Sequence, residues 1–188
     1  MRRGINDSPR LRSCSRTGAG RLFVVIAGLF VASLICPPPL RAGAPVNSLV
    51  GKEAPRFVRT DLAGRKIDLK AYRGKVVLLN FWATWCAPCK VELPHFAGWQ
   101  KQYGPQGLEI IAVSMDDDVT PVRATVRKLE LNFPAVMGDE KIGSQYGGVL
   151  GIPVTYLIDR DGIIRQRLEG ETDLGELEST VVKLLAGK

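Results

Sequence analysis

Histidine and cysteine are scarce in this 188-residue chain, which has one histidine, His95, and four cysteines, Cys14, Cys36, Cys86 and Cys89. The first two cysteines fall in an N-terminal stretch with the marks of a targeting segment, so the rest of the chain keeps a single pair. A closed zinc site takes four ligands, usually sulfur or nitrogen, and this inventory does not supply them. If a helix runs on from Cys86, His95 stands roughly 180° from Cys86 and 240° from Cys89. It reads as a helix-surface residue, and no metal site is expected. A bridge between residues three apart closes too small a loop to constrain the unfolded chain much. The pair therefore reads as chemistry and not as a staple.

A basic excess is also missing from most of the chain. The formal charge is +7, but seven of the 26 Lys and Arg and only one of the 19 Asp and Glu lie in residues 1–44. Residues 45–188 are left with 19 basic against 18 acidic side chains, which leaves no basic stripe for a nucleic acid. There is no internal repeat and no low-complexity tract. The longest uncharged apolar run at the front, Leu22 to Cys36, spans 15 residues. As a helix it is about 22 Å long, short of the roughly 30 Å hydrocarbon core.

With Arg2, Arg3, Arg10, Arg12, Arg16 and Arg21 before that run and Pro37-Pro38-Pro39 after it, residues 1–44 read as a signal peptide or an N-terminal membrane anchor. Ala42-Gly43-Ala44 offers a small-x-small cleavage site, but Pro45 follows it directly, so both readings stay open. Either one sends the globular part out of the cytoplasm, to a periplasmic or other extracytoplasmic compartment that permits disulfides. Residues 45–53 read as a linker and residues 54–188 as one domain.

Within that domain the informative stretch is Trp85-Cys86-Ala87-Pro88-Cys89, directly after the apolar run Val76-Val77-Leu78-Leu79-Asn80-Phe81. A strand that passes into a helix at this point puts the first sulfur at a helix N-terminus, where free backbone N–H groups favour the thiolate. Cys86 is expected to be the reactive thiol. Cys89, one turn deeper, is expected to resolve a mixed disulfide formed at Cys86.

The other elements follow from periodicity and turn chemistry. Residues 57–60 and 66–69 flank Asp61-Leu62-Ala63-Gly64 as a β-hairpin. Val76 to Phe81 suits a central strand buried on both faces. A helix is expected from Cys86 to about Tyr103, with Leu93, Phe96, Ala97 and Gln100 on one face and Pro94 inside it. Leu108 to Ser114 is a second buried strand, which completes a βαβ unit. After the acidic turn Asp116-Asp117-Asp118, the spacing predicts a helix over 121–131 with Thr120 as N-cap and Pro121 at N1. A short strand over 133–137 and a short helix over 142–146 come next. Residues 154–158 and 163–168 flank Asp159-Arg160-Asp161-Gly162 as a hairpin, and 174–185 is an amphipathic helix.

This order, Pro94, and two separate motifs resemble the thioredoxin superfamily and, within it, the exported TlpA/ResA-like thiol:disulfide reductases, with a redoxin or AhpC-TSA-like domain over about residues 50–186. The motifs are Asn80-Phe81-Trp82-Ala83-Thr84-Trp85-Cys86-Ala87-Pro88-Cys89-Lys90 and Gly151-Ile152-Pro153-Val154-Thr155. The resemblance implies an α/β, three-layer thioredoxin-like fold: a mixed central sheet with helices on both faces and an N-terminal β-hairpin. It also implies a cis Ile152–Pro153 bond facing the disulfide, so that Ile152 and Pro153 receive an extended substrate segment by backbone pairing. Trp82 and Trp85 are expected in an apolar collar around the site. Asn80 stands where thioredoxin has a buried aspartate, and an amide cannot shuttle a proton there. Glu92, about 60° round the helix from Cys89, matches an acidic position of the TlpA/ResA-like proteins and is the candidate for proton transfer with Cys89.

By that resemblance the activity is reduction of disulfides in exported proteins through the Cys86/Cys89 dithiol. No cofactor beyond the redox-active disulfide is implied, and a membrane thiol-electron transporter would serve as reductant. Maturation of cytochrome c or of an oxidase is the setting the family suggests. The cytochrome c branch often has an acidic residue after the cis-proline, however, and Val154 stands there, so that substrate is not carried over. A peroxiredoxin would need Pro-x-x-x-Thr-x-x-Cys, and Leu79 and Ala83 break that pattern before Cys86, as Trp82 and Cys86 do before Cys89. Two alternatives stay open: a disulfide oxidase or isomerase, because direction depends on potential, and a Cu(I) carrier using the two sulfurs as soft ligands.

Overall fold

The computed structural model describes residues 49–187. The expected signal or anchor over 1–44, the apolar run over 22–36 and residues 45–48 of the expected linker lie outside that range. The rest of that linker is attached to the domain. Glu53 bridges Ile163, the Gly51 N–H donates to the Ile164 carbonyl at 2.8 Å, and the Ile164 N–H donates to the Lys52 carbonyl at 2.9 Å.

Strand β3, Val76–Trp82, is buried at all seven positions. Its side chains alternate between two cores. Val76, Leu78 and Trp82 pack on one side, while Val77, Leu79 and Phe81 pack on the other. A strand covered on both faces must pair on both edges to satisfy its backbone. It does so with β4, Leu108–Ser114, in parallel and with β6, Val154–Ile158, antiparallel. Strand β5, Ala135–Met137, and strand β7, Ile164–Glu169, complete a mixed sheet of order β5-β4-β3-β6-β7. Ahead of it, β1, Val58–Thr60, and β2, Lys66–Asp68, form the N-terminal hairpin.

Helix α1, Ala87–Tyr103, helix α2, Val119–Lys128, and helix α4, Leu174–Leu185, cover one face, through Cys89, Leu93, Phe96 and Trp99, Val122, and Leu177 and Val181. Helix α3, Glu140–Gln145, and the N-terminal hairpin cover the other, through Ile142, Phe57 and Ile67. This is the three-layer thioredoxin-like arrangement. Among the described residues no helix is long and apolar enough to cross a membrane.

Three helices start or pack differently from their sequence pattern. Helix α2 begins at Val119 because the Asp118 carboxylate, and not Thr120, caps it by accepting the Thr120 N–H. A carboxylate is the stronger acceptor for a free helix-end donor. Helix α3 begins at Glu140 because Asp139 caps it through the Ile142 N–H. In α1 the buried face carries Trp99 and Glu92, whereas Gln100 turns to the backbone of β4, donating to the Leu108 carbonyl and accepting the Ile110 N–H at 2.8 Å.

In the β6–β7 turn Gly162 has φ of 72°, and a Cβ there would stand 2.6 Å from Arg73 Cζ. Leu78 is fully buried within the central strand. Leu78→Ala is expected to destabilise the fold by about 2–5 kcal/mol, read as the loss of urea-unfolding free energy. A loss below about 1 kcal/mol would mean that β3 is not the packed centre described here.

Candidate active site

The chain leaves the sheet at Trp82, turns over Ala83–Trp85 and enters α1 with Cys86 as its N-cap. Cys86 has extended backbone angles, φ −81° and ψ 110°, and its Sγ accepts the Cys89 N–H at 3.3 Å. Its own N–H donates to the Ala83 carbonyl at 3.1 Å, which closes the turn. Pro88 sits in the first turn of the helix, where a missing N–H leaves no helical bond unmade. Cys86 and Cys89 are joined by a disulfide with Cα atoms 5.4 Å apart. Cys86 is 5 % exposed and Cys89 is fully buried, so the N-terminal sulfur is the one nearer solvent.

Around the pair the two tryptophans separate. Trp85 is 70 % exposed, while Trp82, expected in the collar, is entirely buried in the core beneath α1. The register pairs Phe81 with Val154, so the segment just before β6 lies beside the exit of β3. That segment is Ile152-Pro153. Its peptide bond is cis, Pro153 is buried, and half-buried Ile152 packs against the cluster that holds both cysteines. Asn80 lies opposite Thr155 and donates from Nδ2 to Thr155 Oγ1 at 2.9 Å.

Glu92 lies one turn after Cys89, on the buried face of α1 and 2 % exposed. Its Oε1 accepts the Thr172 N–H at 3.1 Å, from the loop between β7 and α4, and its Oε2 has no partner among the described residues. Burial raises its carboxyl pKa above the ordinary value, the Thr172 hydrogen bonds pull the other way, and the Glu171 charge adds to the rise. A carboxyl held in this state can exchange a proton nearer neutral pH than a solvated one. His95, by contrast, is exposed on α1. Among the described residues no three His, Cys, Asp or Glu side chains gather as a metal-binding group.

The sequence profile of the AhpC/TSA family matches residues 50–167. The chain belongs to that family. It is 42 % identical over 137 residues to the thiol-disulfide oxidoreductase ResA of Bacillus thuringiensis subsp. konkukian, covering 72 % of this chain and 78 % of that protein. It is 37 % identical over 120 residues to ResA of Bacillus subtilis, covering 64 % and 67 %. Among solved structures it resembles a protein of Chlorobium tepidum assigned as thiol:disulfide interchange protein DsbE, with a TM-score of 0.68 and 28 % identity over 72 % of this chain and 97 % of that one. A thiol:disulfide interchange protein from Bacteroides sp. gives a TM-score of 0.64 and 26 % identity over 73 % and 91 %. Within the AhpC/TSA family the chain is thus a ResA-like thiol–disulfide oxidoreductase.

Two features of this ResA-like site are invisible to the spacing of its motifs. Thr172 reaches Glu92 across 80 positions of sequence, and nothing in Glu171-Thr172 marks it. Asp116 binds Thr84, and its only signal is its place at the head of an acidic turn.

The raised pKa of Glu92 has a signed consequence for stability. The folded state holds this proton more tightly than the unfolded chain, so stability is lost as pH rises from about the ordinary value of 4.5 through the folded pKa. Each unit of elevation corresponds to about 1.4 kcal/mol. In the oxidised protein Glu92→Gln is expected to remove this loss, so that the variant gains on the wild type from pH 4 to pH 8 in urea-unfolding midpoints. Parallel curves for the two proteins would show that Glu92 titrates as a solvated acid.

Proposed function

We propose that the protein reduces disulfides of other exported proteins, with Cys86 as attacking thiol and Cys89 as resolving thiol. The observation that carries this reading is the Cys86 sulfur at the N-cap of α1, receiving a backbone N–H and nearer to solvent than its buried partner. An N–H aimed at sulfur stabilises negative charge there relative to the neutral thiol. The Cys86 thiolate attacks one sulfur of the target disulfide, forming a mixed disulfide, and the other target sulfur leaves as a thiolate and takes up a proton. Cys89 then gives up its proton and attacks Cys86 Sγ. The second target sulfur is released, and the Cys86–Cys89 bridge remains.

Glu92 is the group that moves the proton of Cys89. Its place one turn along the same helix face, its burial and its raised pKa support that role. Trp85, exposed beside Cys86, and half-buried Ile152, set by the buried Pro153 just before β6, form the surface that receives the target. They supply apolar contact and backbone pairing in place of a deep pocket. No organic cofactor is required, because the electrons reside in the dithiol. The protein acts outside the cytoplasm, delivered by a signal peptide or held at the membrane by residues 22–36, and a membrane thiol-electron transporter reduces it again. The apolar run after a basic N-terminus supports that location.

In the native reduced protein at pH 7, iodoacetamide is expected to label Cys86 at least roughly tenfold faster than Cys89. Cys89→Ala is expected to accumulate mixed disulfides between Cys86 and exported proteins, visible on non-reducing gels and lost on reduction. Faster labelling of Cys89 would reverse the two roles, and a Cys89→Ala protein that captures no exported partner would count against substrate reduction.

A further inference from the structure

The three carboxylates of the acidic turn after β4 face different surroundings. Asp118 caps α2 and Asp117 is exposed. Half-buried Asp116 turns back towards the active-site turn. Its Oδ1 accepts the Thr84 hydroxyl at 2.6 Å and its Oδ2 accepts the Thr84 backbone N–H at 2.9 Å. Its Oδ2 also accepts the hydroxyl of Ser114, a fully buried residue at the end of β4, at 2.7 Å. None of these donors is cationic, so the carboxylate is held by fixed hydrogen bonds and not by a mobile ion pair.

Between the last residue of β3 and the first of α1, the chain has few other restraints. The Met115 N–H donates to the Trp82 carbonyl at 2.8 Å before the turn, and the Cys86 N–H donates to Ala83 within it. Thr84, midway, is fastened through both its backbone and its side chain by Asp116, its only hydrogen-bond partner among the described residues. We propose that Asp116 is a positioning residue for the reaction. By clamping Thr84 to the end of β4 it sets the Ala83–Cys86 turn so that Cys86 Sγ lies on the Cys89 N–H, and it presents Trp85 to solvent beside it. Bonds from a carboxylate are about twice as strong as neutral ones, and small misplacement of a reacting group costs orders of magnitude in rate.

This inference rests on the reading of Cys86 as the attacking thiol. The test is the pH profile of iodoacetamide labelling at Cys86, mapped by peptide mass, in the reduced full-length wild type, Asp116→Ala and Thr84→Val. Glu92 is intact in all three. Positioning predicts that both variants lose the N–H on sulfur, so the titration midpoint rises and labelling at pH 7 slows, by up to about tenfold for one unit of pKa. A carboxylate acting only through its charge predicts the opposite sign for Asp116→Ala and no change for Thr84→Val. A merely structural role predicts a lower melting temperature with an unchanged profile. Either of the last two results overturns the inference, and Thr84→Val decides it if Asp116→Ala does not fold. Labelling of Cys89 first in the wild type overturns the reading of Cys86, and the inference with it. Variants that share the profile of a Cys86-labelled wild type overturn the inference alone.

Discussion

One backbone N–H directed at one sulfur organises this molecule. The bond from Cys89 to Cys86 Sγ exists only if Cys86 stands at the N-cap of α1, and that depends on where β3 leaves the sheet. Strand β3 has little freedom to slip, because a shift by one residue would exchange its two side-chain sets between the two cores. Its pairing with β4 on one edge and β6 on the other holds the register from both sides. The central strand therefore delivers Trp82 to the core and Cys86 to the helix end, and the same register sets Ile152-Pro153 alongside.

The second constraint is the burial of Glu92. The carboxyl lies on the face of α1 that also carries Cys89, Leu93 and Phe96. Among the described residues one oxygen has the Thr172 N–H and the other has no partner, so the anion is poorly compensated, and the neutral acid is favoured relative to a solvated glutamate. A core position occupied by a half-satisfied acid weakens the fold at neutral pH. In the function proposed above it would also give the buried thiol a proton acceptor or donor that Asn80, hydrogen-bonded to Thr155, cannot provide. On that proposal stability and chemistry pull in opposite directions at this residue.

Much of the architecture was legible because the determining patterns are local. The two-sided burial of β3 follows from an unbroken apolar run, the β6–β7 hairpin from Asp159-Arg160-Asp161-Gly162, and α4 from Leu177, Val181 and Leu184 at helical spacing. The disulfide pair was legible because the chain has so few other cysteines. Readings that depended on distant partners fared differently. The helical spacing put Gln100 on the inner face of α1 with Leu93, Phe96 and Ala97, but Trp99 is buried there and Gln100 finds hydrogen-bonding groups on β4. Thr120 is a separate case, outcompeted by a local rival, Asp118, two residues away. The burial of Glu92 depends on the loop at Thr172, and the clamp on Thr84 depends on Asp116 at the end of the neighbouring strand. Neither leaves a trace in spacing, because both form only when the sheet has assembled.

The direction of electron flow is the claim on which the functional account turns, because the same dithiol geometry serves reductases and oxidases alike. Potentials on this type of scaffold run from about −270 mV for thioredoxin to about −120 mV for DsbA. The most direct measurement is the redox equilibrium of the Cys86/Cys89 pair against dithiothreitol buffers, read by trapping free thiols. The account predicts a single two-electron transition at a potential near or below the thioredoxin end of that range. A potential close to the DsbA end would contradict it and make the protein a donor of disulfides.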